Sequence, residues 1–223
     1  IANDESLRHK KSDVNVKIQH TEFYRSLKIK NLKNKYYKNS CKYIFIVGMP
    51  RSGSTLLENI LSLNPEVTDM GEVSFLEESI KGIKDFDDAF ELYEKKVINQ
   101  FKPSIIYTDK YLFNYMYCPI ISNFFPDAKI INCVRNPLDN ILSIYKANFL
   151  NQPFSFSLHD ISNLYLNYFE TMEEYKIKHG SIIYDYNYEE LIKNPNKIIP
   201  DLINWLKWDW NEKYLSPHKN TRN

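Results

Sequence analysis

The sequence predicts an α/β fold in which a central parallel sheet is flanked by helices. Three observations carry this expectation. Short, continuous apolar runs recur along the chain, as strands buried on both faces require. Helix-like stretches separate those runs. A glycine-containing turn joins the first run directly to a helix, an arrangement that points backbone N–H groups at an anion.

The elements follow in order. Residues 1–40 are polar and basic, with Lys28, Lys30, Lys33, Lys35 and Lys38 gathered near the end. Phe23, Leu27, Ile29 and Leu32 are loosely spaced there, so a solvated arm of helical character is expected. Residues 41–223 form the single predicted domain. Its first strand is Tyr43-Ile44-Phe45-Ile46-Val47, and similar runs follow at 104–107, 129–134 and 181–184. A helix over 55–63 carries Leu56, Leu57, Ile60 and Leu61 and stops before Asn64-Pro65. Another over 137–149 carries Leu138, Ile141, Leu142 and Tyr145. A long amphipathic helix over 158–179 has Tyr165, Phe169 and Met172 at helical spacing, a core stripe, and Gly180 where a C-terminal cap belongs.

Composition limits the possible functions. The chain has 223 residues, 43% of them hydrophobic and 26% charged, ordinary values for one globular domain. A formal net charge of +1 gives no global argument for a nucleic-acid partner, so any positive site is local. Cys41, Cys118 and Cys133 are dispersed without CxxC spacing, which reads as reduced thiols in a cytoplasmic compartment. No apolar run approaches the roughly 18 residues of a membrane span. The chain starts at Ile1 and carries no signal-like stretch, and an initial isoleucine reads as a fragment or a processed chain. The histidines (His9, His20, His159, His179 and His218) are scattered without ligand spacing, so no metal is expected.

The sharpest signal is Gly48-Met49-Pro50-Arg51-Ser52-Gly53-Ser54-Thr55, between the first strand and its helix. Its glycines permit positive φ and close backbone approach, and its hydroxyls add donors. The spacing from Gly48 to Gly53 matches the Walker A pattern, but Ser54 stands where that pattern has lysine. The cation appears inside the loop instead, at Arg51. A second anion site is predicted after the 129–134 strand. There Arg135 stands at a carboxyl end, Asn136 and Pro137 open a helix, and Ser143 lies about two turns in.

IFIVGMPRSGSTLLENIL resembles the 5′-phosphosulfate-binding loop of sulfotransferases that use 3′-phosphoadenosine 5′-phosphosulfate (PAPS). The resemblance is closest to the branch holding tyrosylprotein sulfotransferases and the bacterial enzymes with tetratricopeptide repeats. It implies the P-loop-like sulfotransferase fold, with Arg51, Ser52, Gly53, Ser54 and Thr55 on the 5′-phosphosulfate. FPDAKIINCVRNPLDNILSIYKANF is similar to the family's 3′-phosphate block, which implies that Arg135 and Ser143 bind that phosphate. The 3′-phosphate distinguishes PAPS from ATP.

Sulfuryl transfer needs a base for the acceptor proton and cations for charge developing on the bridging oxygen. Relatives carry a glutamate after the loop arginine that acts as base, and Glu72 in Asp69-Met70-Gly71-Glu72 matches it. His159 is the rival, but it begins an amphipathic helix, where a surface or packing role is expected. Asp109-Lys110 ends an apolar run and reads in two ways. Asp109 could be a Walker B aspartate holding Mg²⁺. Alternatively, DKYLFNY resembles the family's Asp-Lys-x-Pro-x-Asn block, whose lysine contacts the sulfate or bridging oxygen, with Leu112 in the proline position. That second reading makes Lys110 and Arg51 catalytic cations. Tyr186-Asn187-Tyr188-Glu189-Glu190-Leu191 resembles the family's Tyr-Glu-x-Leu block. Tyr188 takes the tyrosine position there, in packing or nucleotide contact, and Asn187 stands where many relatives have arginine.

The resemblance spans about 43–208. Relatives usually continue past Ser216-Pro217-His218-Lys219 into a segment that closes over the nucleotide, and that contact is expected either to be missing or to lie beyond Asn223. The expected function is sulfuryl transfer from PAPS to a hydroxyl acceptor, releasing adenosine 3′,5′-bisphosphate (PAP). Two alternatives stand beside it: a P-loop kinase or nucleotidase, and a non-catalytic module that grips PAP or PAPS. The acceptor (peptide tyrosine, saccharide or small molecule) is set by variable loops and stays open.

Overall fold

A computed structural model of the chain describes residues 3, 5–6, 11–27, 41–81, 86–125 and 127–219. Helix α1 (Val14–Ser26) precedes strand β1 (Lys42–Gly48). After them come α2 (Ser54–Leu61), β2 (Val67–Asp69), α3 (Phe75–Ile80), α4 (Asp87–Gln100) and β3 (Ile106–Asp109). The second half holds α5 (Cys118–Phe124), β4 (Lys129–Val134), α6 (Pro137–Ala147), α7 (Leu158–His179), β5 (Ile183–Asn187), α8 (Tyr188–Lys193) and α9 (Pro195–Trp205). Short 3₁₀ turns, including Leu112–Tyr117 and Pro153–Phe156, link several of them.

The strands form one parallel sheet in the order β2-β3-β1-β4-β5, the predicted architecture. β1 lies at the centre and its side chains alternate between two cores. Tyr43, Phe45 and Val47 pack with Phe90, Tyr93, Phe125 and Tyr168 on one face. Ile44 and Ile46 pack with Leu57, Ile60, Leu202 and Ile203 on the other. A strand covered on both faces has no polar side, hence its uninterrupted apolar run.

Because β1 pairs with β3 on one side and β4 on the other, the chain leaves β1 and β4 in opposite directions. Such a switch point opens a crevice at the carboxyl ends of the strands, where open α/β sheets bind ligands. The loops after β1 and β4 flank that crevice.

Several local expectations need correction. The helical character expected of the arm is present over residues 14–26, but that helix is packed against the domain rather than solvated. Val14, Thr21 and Tyr24 are buried, Arg25 pairs with Glu174 of α7, and Lys17 Nζ sits 4.1 Å from the Phe113 ring centre. The inward positions are partly polar by type, so a search for apolar spacing overlooks them. The lysines from Lys28 to Lys38 lie outside the described residues. Gly180 ends α7 with φ −57°, without a left-handed cap, and the chain runs on into a 3₁₀ turn. Of the α7 stripe, Tyr165 and Met172 are buried but Phe169 is half exposed. On α6, Leu138 and Leu142 are exposed, while Asn140 and Ile144 face inward. No helix among the described residues is long and apolar enough to cross a membrane.

Candidate active site at the sheet switch point

The loop after β1 owes its shape to glycine at two points. Gly48 has φ +143°, and a Cβ there would lie 2.7 Å from the Cys133 carbonyl oxygen on β4. Gly53 has φ +89°, and a Cβ there would lie 2.3 Å from the Tyr188 ring. Any larger residue at either position is strained and collides with its neighbour. Between them Arg51 adopts φ +66°, a left-handed conformation that costs a non-glycine residue about 1–2 kcal/mol. Two contacts from the β4 side hold the loop there. Asn140 Nδ2 donates to the Pro50 carbonyl at 2.8 Å, and Arg135 Nη1 donates to the Arg51 carbonyl at 2.8 Å. The inward turn of Asn140 on α6 serves this bond.

The predicted N-terminus of α6 is present. Asn136 Oδ1 accepts from Leu138 N at 3.0 Å and from Asp139 N at 3.2 Å, and Pro137 follows as the first helical residue. That cap sets Arg135 at the mouth of the crevice. Its guanidinium lies 5.1 Å from the Tyr188 ring centre and 3.9 Å from Glu189 Oε1. Ser143 faces the same space and accepts from Arg51 Nε at 3.3 Å. The two motifs, more than 80 residues apart in sequence, therefore interlock.

A pocket of about 390 Å³ lies between them, within the usual range for small-molecule sites. Arg51, Gly53, Ser54, Thr55, Glu72, Arg135 and Tyr188 all line it. Tyr111, Leu112, Phe113, Phe149 and Gln152 also line it. Ser52 is buried behind the loop, its hydroxyl turned toward the Cys133 thiol, which burial holds in its protonated form. Tyr188 is both a packing surface for Gly53 and part of the pocket wall. Asn187, in the position where relatives have arginine, caps α8 by accepting from Glu190 N at 2.9 Å.

The exits of β2 and β3 bring Glu72 and Lys110 together. Lys110 N donates to the Gly71 carbonyl at 2.9 Å, pinning the turn that carries Glu72. Gly71 has φ +68° in that turn. The Glu72 side chain is 68% exposed and reaches the pocket, with Oε1 3.7 Å from Lys110 Nζ. Lys110 itself is buried, and its ammonium lies 2.8 Å from Glu58 Oε2 on α2. The sequence reading missed Glu58. It is the one charged residue in the helix Ser54–Leu61, on a face that is otherwise buried, and that was the available signal. His159 is exposed on α7, 3.1 Å from Asn163 Nδ2, and is absent from the pocket wall.

Asp109 is fully buried at the end of β3. Its carboxylate accepts from Tyr93 OH, Asn114 Nδ2 and Tyr111 N, each at 3.0 Å. Both oxygens are thus committed to holding the β3 exit, and Asp109 is not placed as a Walker B ligand. Burial outweighs those three donors and pushes its pKa up to about 7. A carboxyl whose pKa is raised on folding binds more protons folded than unfolded between the two values. Its stabilising contribution is complete below about pH 4 and is lost as pH rises through about 7. The slope is at most about 1.4 kcal/mol per pH unit. Thermal denaturation from pH 5 to 8 is therefore expected to show a steeper fall in Tm for the native chain than for Asp109→Asn.

A larger cavity, about 620 Å³, opens at the opposite, amino-terminal end of the strands beside Lys42, Lys129, Trp208 and Trp210. Neither the loop after β1 nor the loop after β4 reaches it. The interlocked loops, rather than cavity size, mark the site.

The sequence model of the Sulfotransferase family matches residues 43–102 and 82–212. The chain belongs to that family. It is 29% identical over 208 residues to an uncharacterised protein of Aquifex aeolicus, a match covering 80% of this chain and 27% of the relative. It is 25% identical over 198 residues to a putative protein-tyrosine sulfotransferase of Caenorhabditis briggsae, covering 79% and 69%. The chain thus spans about a quarter of the first relative and about two thirds of the second. In fold it is similar to the sulfotransferase domain of the Synechococcus PCC 7002 olefin synthase, with TM-score 0.60, 20% identity and coverage of 86% and 82%. It is likewise similar to mouse sulfotransferase SULT7A1 complexed with PAP, with TM-score 0.55, 20% identity and coverage of 78% and 62%.

Proposed function

We propose that this chain transfers a sulfuryl group from PAPS to a hydroxyl acceptor by in-line displacement and releases PAP. The observation that carries the reading is the junction of two arginine-bearing loops in one crevice, Arg51 from the β1 exit and Arg135 from the β4 exit. Arg51, Ser52, Gly53, Ser54 and Thr55 hold the 5′-phosphosulfate at the start of α2, where free N–H groups and the helix dipole favour an anion. Arg135 and Ser143 hold the 3′-phosphate, and Tyr188 lies beneath the nucleotide. PAP in the mouse relative fits the same pairing of a 5′ and a 3′ site.

In the transfer, Glu72 takes the proton of the acceptor hydroxyl as its oxygen attacks sulfur. The bond from sulfur to the 5′-phosphate oxygen breaks, and its electron pair leaves with PAP. Lys110 and Arg51 stabilise the charge gathering on that oxygen, so the rate gain is positioning and electrostatics. No residue assigned here is a metal ligand. The acceptor hydroxyl meets Glu72 beside Tyr111, Phe113 and Phe149. That aromatic rim suits a phenol, and the putative protein-tyrosine sulfotransferase among the relatives favours a tyrosine peptide. Three free thiols, Cys41, Cys118 and Cys133, fit a cytoplasmic setting.

The kinase reading is disfavoured by Ser54 in the Walker lysine position and by the commitment of both Asp109 oxygens. A purely gripping module leaves the exposed carboxylate of Glu72 in the pocket unexplained. The test is transfer of labelled sulfate from PAPS to tyrosine peptides, phenols and saccharides with a chelator present. Transfer that persists supports the proposal. ATP turnover that stops with the chelator, and no sulfate transfer, contradicts it.

A further inference from the structure

The buried pair formed by Glu58 and Lys110 calls for an account beyond folding. Both side chains are under 10% exposed, and their charged atoms are 2.8 Å apart. A charge taken out of water is costly even when paired, and an apolar pair of similar volume is often as stable. The two residues come from different elements, α2 and the β3 exit, so the pair fixes the helix carrying the first anion loop to the strand end beside Glu72.

Glu58 does not line the pocket, whereas Glu72, which also approaches Lys110, does. The ammonium lies between an anchoring carboxylate behind and a pocket carboxylate in front. Lys110 itself lies behind the wall, and its ammonium has three donors, so a bond to Glu58 leaves two on the side of Glu72. Lys110 without an anchor is a flexible four-carbon stem whose rotamer freedom is lost anew at each encounter.

We propose that Glu58 is a positioning residue for sulfuryl transfer: it holds the Lys110 ammonium just behind the pocket wall, beside Glu72 and directed toward the donor's bridging oxygen. The inference rests on the sulfotransferase reading above and adds to it a residue that acts only through Lys110. Glu58 touches neither donor nor acceptor. It is committed to a bond that the donor leaves intact, while the Lys110–Glu72 contact at 3.7 Å gives way as the donor enters. Glu72 is then free to accept the acceptor's proton.

The experiment compares Glu58→Gln, Lys110→Met and the double variant with the native chain. It measures kcat and KM for PAPS, the Kd of PAP by calorimetry, and Tm. Glu58→Gln keeps the volume and removes the charge. Its kcat is expected to fall about 10- to 100-fold, with the Kd of PAP within about threefold of native. The double variant is expected to match Lys110→Met in kcat, because a residue acting through Lys110 has nothing further to lose. If Lys110→Met fails to fold because Glu58 is left unpaired, Lys110→Gln takes its place, and its kcat is expected to be the same with and without Glu58→Gln. If Glu58→Gln fails to fold, Glu58→Asp keeps the charge but shortens its reach. A lower kcat at unchanged PAP Kd then supports the inference.

Native kcat in Glu58→Gln or Glu58→Asp overturns it. So does a loss of kcat from Glu58→Gln that is as large without Lys110 as with it, the mark of a merely structural role. A native chain that transfers no sulfate overturns the functional reading and this inference together. An active native chain with an indifferent Glu58 overturns this inference alone.

Discussion

Arg51→Ala is expected to lower kcat/KM for sulfuryl transfer from PAPS by about 10²- to 10³-fold, the loss that follows removal of one donor aimed at developing charge. Arg51 is the only cation inside the β1 loop, and it stands where a nucleoside triphosphatase has no counterpart. The substitution reports charge rather than backbone. Alanine, like arginine, pays for φ +66° at position 51, so the loop conformation gains nothing by the change. The contacts from Asn140 to Pro50 and from Arg135 to the Arg51 carbonyl involve main-chain acceptors that survive the substitution. Tm is therefore expected to stay within a few degrees of native while both kcat and KM deteriorate, since the proposed role has the side chain meet the 5′-phosphosulfate before and during transfer. An Arg51→Ala chain within threefold of native in kcat/KM would falsify this assignment.

For Glu72→Gln the expected loss lies in kcat alone, about 10²- to 10⁴-fold, the usual worth of a positioned general base. The amide retains the shape of the side chain but no longer takes a proton. Lys110 keeps Glu58 as its buried partner, so no unpaired charge is created in the wall. PAP binding is expected to be unchanged, because the proposed role of Glu72 is toward the acceptor and not the nucleotide. Single-turnover kinetics with bound PAPS separate the two quantities. Full activity in this variant moves the base elsewhere and leaves the family untouched.

The parts of this molecule legible in the sequence are those with one physical cause. β1 and β4 are covered on both faces, so β1 appears as a bare apolar run and β4, interrupted only by the buried Asn132 after Lys129, as a mostly apolar one at its predicted 129–134. The β1 loop is legible because glycine is forced at 48 and 53 by contacts with Cys133 and Tyr188, and such positions tolerate no disguise. β2 escaped notice because three residues, Val67–Asp69, are too few to show a period. The helices α4 and α5 escaped because their buried residues mix aromatics with alanine and cysteine, which blurs the apolar stripe.

Within the site, Arg51, Glu72, Arg135 and Tyr188 sit together on the pocket wall, while Ser52 and Lys110 lie just behind it and Ser143 meets Arg51. Glu58 was illegible for a different reason. A glutamate in a helix is usually solvated, and only the position of Lys110, 52 residues further along the chain, shows that this one is buried and paired. Asp109 was ambiguous in sequence because a strand-ending aspartate serves a metal or a turn equally well. Its three donors decide for the turn.

The measurement that bears most directly on the two-loop site is calorimetric binding of PAP and of adenosine 5′-monophosphate to the native chain and to Arg135→Ala. A hydrogen-bonded charge pair at the 3′-phosphate is worth about 1.5–3 kcal/mol, which is about 10- to 100-fold in Kd. The native chain is expected to prefer PAP by about that factor, and Arg135→Ala to bind the two nucleotides alike. Equal affinity for both in the native chain, or no binding of PAP at saturating excess, contradicts the account.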